Sequence, residues 1–194
     1  MRSPLKRVLA SVIAMGGLAV SGAAFAFPHG GDIASGAKRE PTVLGGTSVV
    51  CSGPLNHLIG TDINGTSVNW LTGAIVDADP ASGYDINLYN SSGLRMWWND
   101  APAISAGVAS TTSSANYTVL GVGAIIGPAS TWSRTNGAMT AFQAGVNGYL
   151  GFRFNCSGST CYGYAHLTTT SPAGFPAAVV EYWYDQSGAD ITIP

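Results

Sequence analysis

The residue types best suited to bind or transform a ligand lie in two strand-like stretches of the sequence. Successive side chains of a β-strand point to opposite faces. In Tyr-Gly-Tyr-Ala-His, this alternation puts Tyr162, Tyr164 and His166 on one face. A later stretch puts Glu181 and Trp183 together in the same way. If the two strands pair, one face of a sheet displays all five side chains.

His166 and Glu181 suggest two kinds of chemistry. In a cleft, within hydrogen-bond reach of each other and near Arg153, they would suit acid–base work in a hydrolase. On an open face the same groups would contact a ligand without transforming it, and ordinary cross-strand packing also places aromatic rings there. The sequence has no Gly-x-Ser-x-Gly elbow and no His-Glu-x-x-His motif. We therefore assign no catalytic residue and keep the hydrolase as the alternative.

Trp97 is a further candidate for ligand contact. Residues 84–98 form two alternating stretches around Asn-Ser-Ser-Gly, a pattern that predicts a hairpin. Leu94 and Met96 then face the core, and Trp97 points away from it. Such a ring either stacks on a sugar or is covered by a neighbouring loop.

The three cysteines divide into a pair and a single residue. Cys156 and Cys161 flank Ser-Gly-Ser-Thr, a link suited to a hairpin turn, and we predict a disulfide between them. Two free thiols are the alternative. Cys51 is left over, either as a buried thiol or as an intermolecular partner. The spacing of cysteines and histidines gives no zinc pattern.

The order Asp62-Ile-Asn64-Gly65 has two interpretations. Asn-Gly is a strong turn pair. Asp-x-Asn-Gly also resembles the start of a calcium loop, but the later acidic ligands and the bidentate Glu of such a loop are missing. The pattern favours a turn over a calcium site near Asp62 and Asn64. Asp77 and Asp79, two positions apart, could also hold a cation or do acid–base work, but beside Pro80 they favour turn hydrogen bonds. We predict no other cofactor or metal.

Short strands separated by Gly, Pro, Asn and Ser turns run through the chain and predict an all-β, antiparallel, jelly-roll-like β-sandwich. Residues 117–126 read as one continuous strand, and 138–145 as the only helical turn after the N-terminal segment. In the stretch 177–184, alternation predicts that Val179, Glu181 and Trp183 share one face of the strand. Val180, Tyr182 and Tyr184 then share the opposite face. The inward-facing side chains expected in the other two strong strands are Leu150, Phe152, Phe154, Ala165 and Leu167.

Residues 1–26 show the pattern of a secretory signal peptide, with a basic start, an apolar middle and an Ala-Phe-Ala exit. The apolar run is shorter than the roughly 20 residues of a membrane-spanning helix. We predict cleavage after Ala26, a flexible leader over 27–41 and a β-sandwich domain over 42–194. The product is then secreted, extracellular or periplasmic, with no membrane attachment after cleavage.

The net charge of the predicted mature chain disfavours some classes of binding partner. Five basic and ten acidic residues follow Ala26, which gives a net charge of −5 and argues against nucleic acid and acidic membranes. Only 9% of all residues are charged, whereas 46% are hydrophobic. This composition indicates a folded domain with an uncharged polar surface, which suits an extracellular glycan or matrix partner.

Four motifs carry a family resemblance: Tyr-Leu-Gly-Phe-Arg-Phe from 149, Tyr-Gly-Tyr-Ala-x-Leu from 162, Val-x-x-Tyr-x-Tyr from 179 and Gly-x-x-Ile from 188. They resemble the end of small exported bacterial proteins, which are similar to the uncharacterised extracellular proteins that often carry a PEP-CTERM sorting tail. The resemblance implies an exported β-sandwich with no catalytic residues to carry over. The sequence contains no Pro-Glu-Pro tail.

Together these patterns predict a secreted, non-catalytic extracellular or surface-associated protein that contacts carbohydrate or matrix. The alternative is a secreted hydrolase whose site surrounds His166 and Glu181.

Overall fold

A computed structural model describes residues 41–44, 47–78, 83–98 and 104–194. The predicted signal peptide and nearly all of the predicted leader lie outside these ranges and stay predictions. The described part forms sixteen β-strands and one short helix, which confirms the all-β, antiparallel sandwich. No helix in these ranges is long and apolar enough to cross a membrane.

The elements follow one another along the chain as β1 (Thr42–Val43), β2 (Val49–Cys51), β3 (His57–Leu58), β4 (Thr66–Val68), β5 (Ile75–Val76), β6 (Ile86–Asn90), β7 (Leu94–Trp98), β8 (Ala106–Val108), β9 (Val119–Leu120), β10 (Ile125–Ile126), β11 (Trp132–Ser133), β12 (Gly137–Ala138), α1 (Thr140–Gln143), β13 (Asn147–Cys156), β14 (Ser159–Thr168), β15 (Ala178–Asp185) and β16 (Ile191–Thr192).

Three sheets are built from these strands. The largest has nine strands in the order β1-β2-β15-β14-β13-β8-β11, with β3 added on β15 and β9 on β13. A five-stranded sheet runs β12-β7-β6-β4-β5, and β10 pairs with β16 as a separate two-stranded unit. All pairs are antiparallel, and the long strands β13, β14 and β15 form the centre of the largest sheet.

A two-residue turn joins β13 and β14, the two longest strands. Cys156 pairs with Ser159, so only Ser157 and Gly158 form the loop. Both have positive φ, 57° and 93°, which suits the right-handed twist of a two-residue hairpin. The Asn155 side chain accepts a hydrogen bond from the Gly158 N–H at 2.8 Å and closes the turn.

The five-stranded sheet packs against one face of the nine-stranded sheet, which we call the inner face. Phe152 on β13 stacks on Trp70, which follows β4, with ring centroids 4.2 Å apart and planes 4° from parallel. The predicted inward residues are all fully buried: Leu150, Phe152, Phe154, Ala165 and Leu167. Apolar residues at every second position thus become the main core.

The two-stranded unit lies on the opposite face of the nine-stranded sheet, the outer face. Ile126, Ile191 and Ile193 are buried against it. Gly151 allows the close approach, because a Cβ there would lie 2.7 Å from Val108 and 3.2 Å from Ile126. We call this β10–β16 pair the two-stranded cover.

The single strand predicted over 117–126 is wrong. The segment forms β9 and β10, with a turn between them at Gly121–Gly123. Gly123 has a φ of +83°, outside the strand region. The chain therefore leaves the nine-stranded sheet at this turn and folds over its outer face, and Val122, expected in a strand, is 75% exposed. The helical turn predicted within 138–145 is confirmed as α1.

Candidate functional site

The central strands bring His166 and Glu181 together and leave Arg153 apart from them. The register of β14 and β15 sets His166 directly opposite Glu181, and that of β13 and β14 sets it opposite Tyr149. Arg153 is opposite Tyr162 instead. It lies four residues along β13 from Tyr149, a separation of about 13 Å.

A β-bulge decides which side chains of β15 share the outer face. Val180 is the extra residue between the pairs that Val179 and Glu181 make with β14. The prediction that Val179 shares a face with Glu181 is wrong, because Val179 is fully buried in the inner core. After the bulge the alternation resumes, and Glu181 and Trp183 share the outer face.

His166 is fixed at one end of the outer face by two neighbours from β13. Its Nε2 lies 2.5 Å from Asn147 Oδ1. Because an amide oxygen only accepts, Nε2 carries the hydrogen in this pair. The imidazole stacks on Tyr149, with ring centroids 4.8 Å apart and planes 28° from parallel. Both rings are half-buried and so remain accessible from one side.

Glu181 is also half-buried. Within the residues that the structure describes, neither a hydrogen bond nor an ion pair joins it to His166. Its charge acts instead on a neighbouring phenol. Burial raises the pKa of Tyr164 to about 12, and the negative charge of Glu181 adds to this effect, followed by Tyr149 and Cys51. The Tyr164 hydroxyl therefore keeps its proton at neutral pH.

The two-stranded cover separates the predicted ligand-contact residues into two groups. Tyr162 and Tyr164 are packed beneath it and are only 8% and 3% exposed. Trp183 is half-exposed at its margin. A ligand on this face would meet Trp183 and His166 before either tyrosine. We call the accessible set, Asn147, Tyr149, His166, Glu181 and Trp183, the outer-face patch.

Trp97 belongs to the other side of the sandwich. It lies on β7 in the five-stranded sheet, between the buried Met96 and Trp98, and is 45% exposed. Its cross-strand neighbour Asn87 is buried, and the Asn87 amide donates hydrogen bonds to Asn64 O and Ser67 Oγ at 2.8 Å each. The core separates Trp97 from the outer-face patch, so one small ligand cannot contact both.

The predicted disulfide between Cys156 and Cys161 is confirmed, with the Cα atoms 5.8 Å apart at the end of the β13–β14 hairpin. Cys51 is a free, half-buried thiol. It pairs in register with Trp183 across β2 and β15. The two alternatives for Cys51, a buried thiol and an intermolecular partner, therefore both stay predictions.

The Asp62 segment forms a turn. Asp62 Oδ1 accepts hydrogen bonds from the N–H groups of Asn64 and Gly65, each at 2.9 Å. Gly65 has a φ of +60°, which favours glycine. This carboxylate oxygen is thus used in closing the turn. Among the described residues, no group of three His, Cys, Asp or Glu side chains is placed to hold a metal ion.

Asp85 is a buried carboxylate that the sequence patterns do not single out as unusual. It accepts hydrogen bonds from the Trp70 N–H at 2.8 Å and the Ser105 hydroxyl at 3.3 Å. Burial raises its pKa to about 6, and the two hydrogen bonds oppose that shift. Alternation places Asp85 opposite the inward Ile86, so it reads as a surface residue. Its contacts with Trp70 and Ser105, both distant in sequence, form only in the folded structure.

The fold and the disulfide define a class, an all-β antiparallel sandwich protein with a hairpin disulfide. In comparisons with known proteins, no family model, no curated protein and no solved structure matches the chain. The resemblance to small exported bacterial proteins therefore stays a prediction.

Proposed function

We propose that this chain is an exported, non-catalytic protein that contacts carbohydrate, at a cell surface or in an extracellular matrix, through the outer-face patch. The observation that carries this proposal is the half-exposed stack of Tyr149 and His166 beside Glu181. It lies at the end of the outer face, where the two-stranded cover does not bury the rings.

The chemistry of the outer-face patch suits a sugar. The C–H groups of a pyranose pack on flat apolar surface, which Trp183 and Tyr149 supply. Its hydroxyl groups need acceptors and donors nearby. Glu181 accepts hydrogen bonds, and the Asn147 amide both donates and accepts them. Aromatic surface with a few placed polar groups is the usual composition of a small-ligand site.

Export rests on two independent features. The first is the signal-peptide pattern of residues 1–26. The second is the disulfide between Cys156 and Cys161, since disulfides persist in oxidising compartments and are rare in reducing ones. The low share of charged residues, 9%, is compatible with an uncharged polar surface that meets glycans.

One observation favours the hydrolase alternative, the direct cross-strand pairing of His166 with Glu181. A glycosidase needs a second carboxyl group at about 5–10 Å from the first. Among the described residues, the structure shows no ion pair or hydrogen bond that ties another carboxyl group to this pair. We therefore rank non-catalytic binding first.

A panel of neutral polysaccharides and cell-surface fractions tests the proposal, with affinity and released reducing ends measured on the same samples. We expect binding without hydrolysis, weakened about tenfold or more by Tyr149→Ala or Trp183→Ala. Trp97→Ala is the matched control, because it removes an exposed ring from the opposite side. Absence of binding to every polymer would overturn the proposal. Reducing ends that disappear in His166→Gln would establish the hydrolase instead.

A further inference from the structure

The carboxylate of Glu181 lies among aromatic side chains and has no cation beside it. It is half-buried on β15, directly opposite His166, and Trp183 follows two residues later on the same face. Within the described ranges, no hydrogen bond or ion pair engages either of its oxygens. Because the attraction between opposite charges is stronger where water is partly excluded, this carboxylate is suited to a cationic ligand.

The arginines of the described ranges lie elsewhere. There are three, and no lysine falls in these ranges. Arg95 is on β7 in the five-stranded sheet, and Arg153 lies about 13 Å along β13 from Tyr149. Arg134 donates to the carbonyl of Ser105, beside β8. The described part of the chain therefore supplies no fixed cation next to Glu181.

Two aromatic rings lie on either side of this carboxylate. The strand registers place Glu181, His166 and Tyr149 in one row across three neighbouring strands, so the two ends of the row are about 10 Å apart. Trp183 is about 7 Å from Glu181 along β15. The faces of Tyr and Trp rings attract cations through their quadrupoles. A carboxylate between such rings is a combination that recognises an organic cation.

His166 adds an acceptor to the row. Its Nε2 donates to Asn147 Oδ1, so Nδ1 of the neutral imidazole carries no hydrogen and accepts a hydrogen bond. An ammonium group has three donors and needs several acceptors. Glu181 and His166 Nδ1 supply acceptors of this kind on neighbouring strands.

We propose that Glu181 is the subsite for the ammonium group of an amino sugar, whose ring packs on Trp183 or Tyr149 in the outer-face patch. This inference rests on the proposed function and adds the substrate class, a polymer of amino sugars with free amino groups. An amino sugar carries its ammonium directly on a flat ring, so the charge and the C–H face reach Glu181 and an aromatic ring together. A lysine ammonium instead ends a flexible four-carbon stem.

The net charge of the protein favours the same ligand. The whole sequence carries ten acidic and eight basic residues, and the predicted mature chain carries a net charge of −5. The field of a negative protein attracts a polycation and repels a polyanion. The carboxylate of Glu181 also favours the protonated form of an amine bound beside it. Long-range and local electrostatics thus select a free-amine polymer over a neutral one.

Binding of the full chain to glucosamine and N-acetylglucosamine oligomers of equal length tests the subsite. The measurement is made at neutral pH, where histidine is mainly neutral, since a protonated imidazole would compete for Glu181. We expect the free-amine oligomer to bind about tenfold or more tightly than the acetylated one. Glu181→Gln should abolish this preference and leave the acetylated oligomer within about twofold, because it removes the charge and keeps the shape.

Asp62→Asn is the matched control. It makes the same charge change at an exposed turn beside β6 of the five-stranded sheet, and asparagine keeps the oxygen that accepts the turn hydrogen bonds. The preference for the free amine should survive in this variant. A preference that persists in Glu181→Gln, or that Asp62→Asn removes equally, would reduce it to general electrostatics and overturn the subsite. Equally tight binding of a lysine oligomer would overturn the amino-sugar assignment.

The outcomes separate this inference from the proposed function. Equal binding of the two oligomers, with both weakened by Trp183→Ala, would overturn the ammonium subsite and keep the glycan site. Binding of neutral polysaccharides but of neither oligomer would do the same. No binding to any glycan would remove both proposals. Thermal unfolding shows whether each variant is folded. If Glu181→Gln is not, Glu181→Asp decides, because withdrawing the carboxylate by one methylene should reduce the preference about threefold or more, and an unchanged preference would overturn the subsite.

Discussion

The two faces of the nine-stranded sheet carry aromatic side chains in similar number but bury them to different degrees. On the inner face, Phe152, Tyr182 and Tyr184 are covered by a whole five-stranded sheet and by Trp70. On the outer face, the two-stranded cover buries only the middle. The rings at its margins stay half-exposed: Trp132, Tyr149, His166 and Trp183.

This difference in burial separates the rings that stabilise the fold from the rings that remain accessible for the proposed binding. Complete burial gives the inner face its hydrophobic stabilisation, at roughly 25 cal/mol per Å² of apolar area. Partial burial on the outer face holds rings in place through neighbours such as the Tyr149–His166 stack, yet leaves one side of each open. Variants on the two faces should therefore separate into those that unfold the protein and those that only abolish binding.

Removal of an inner-face ring gives the largest expected effect. Phe152→Ala should lower the free energy of unfolding by about 3–5 kcal/mol, because it deletes the stacking partner of Trp70 and leaves a cavity in a fully buried layer. Urea unfolding followed by tryptophan fluorescence measures this loss. Phe152→Leu, which fills most of the volume, should cost clearly less. A loss under about 1 kcal/mol for the alanine variant would show that the inner face does not dominate stability.

The buried carboxyl of Asp85 gives the next effect, on the dependence of stability on pH. Burial raises its pKa to about 6 from an ordinary 3.8, so the folded state binds the proton more tightly than the unfolded chain. The free energy of unfolding should therefore fall as pH rises from about 4 to about 6, by up to about 3 kcal/mol. Asp85→Asn should remove this slope, whereas Asp190→Asn, at an exposed position, should keep it. An unchanged slope in Asp85→Asn would show that Asp85 is not the group responsible for this pH dependence.

Asp185, on the outer face, behaves in the opposite way. Burial alone would raise its pKa, but hydrogen bonds from Ser187 and Ser48 outweigh burial and lower it. Its contribution to stability is therefore present at neutral pH and is lost as pH falls below the ordinary carboxyl range. Two buried carboxyl groups thus have opposite pH dependences, set by how many donors each one meets.

Weakening the two-stranded cover should have a smaller effect. Ile191→Ala should cost about 2 kcal/mol, because the side chain packs in the small outer layer. It should also lower the pKa of Tyr164, because burial is the largest cause of its raised value. Urea unfolding and a spectrophotometric tyrosine titration measure the two effects. Val122→Ala, at a 75% exposed position between the cover and β9, is the control. An unshifted tyrosine titration would show that the cover does not bury that phenol.

The sequence predicts the inner face well and the outer face poorly, for a physical reason. Alternation of apolar residues fixes which side of β13 and β14 is buried, so Leu150, Phe152 and Leu167 are predicted correctly. Alternation says nothing about what covers the opposite side. The two-stranded cover joins residues 125–126 to 191–192, and no local pattern indicates such a distant pairing.

In the candidate site, too, alternation along the sequence does not determine the positions of individual residues. The placement of His166 opposite Glu181 is a matter of register, which alternation suggests but does not fix. The bulge at Val180 moves Val179 to the inner face and keeps Glu181 outside, and no Gly or Pro marks it in the sequence. The placement of Arg153 over the Trp132 ring depends on how β8 and β11 are added to β13, which only tertiary structure defines.

Tyr149→Ala should have the smallest effect on stability and the largest on binding. Its ring is half-buried and contacts His166 and Tyr164 at the margin of the outer layer, so its loss should cost about 1 kcal/mol or less. The same change removes the surface on which a sugar ring would pack and frees the His166 imidazole from its stack. Urea unfolding together with a glycan affinity measurement tests both effects on one variant. A loss of stability comparable to that of Phe152→Ala would contradict this division, because it would show that the Tyr149 ring stabilises the fold as strongly as a buried ring of the inner face.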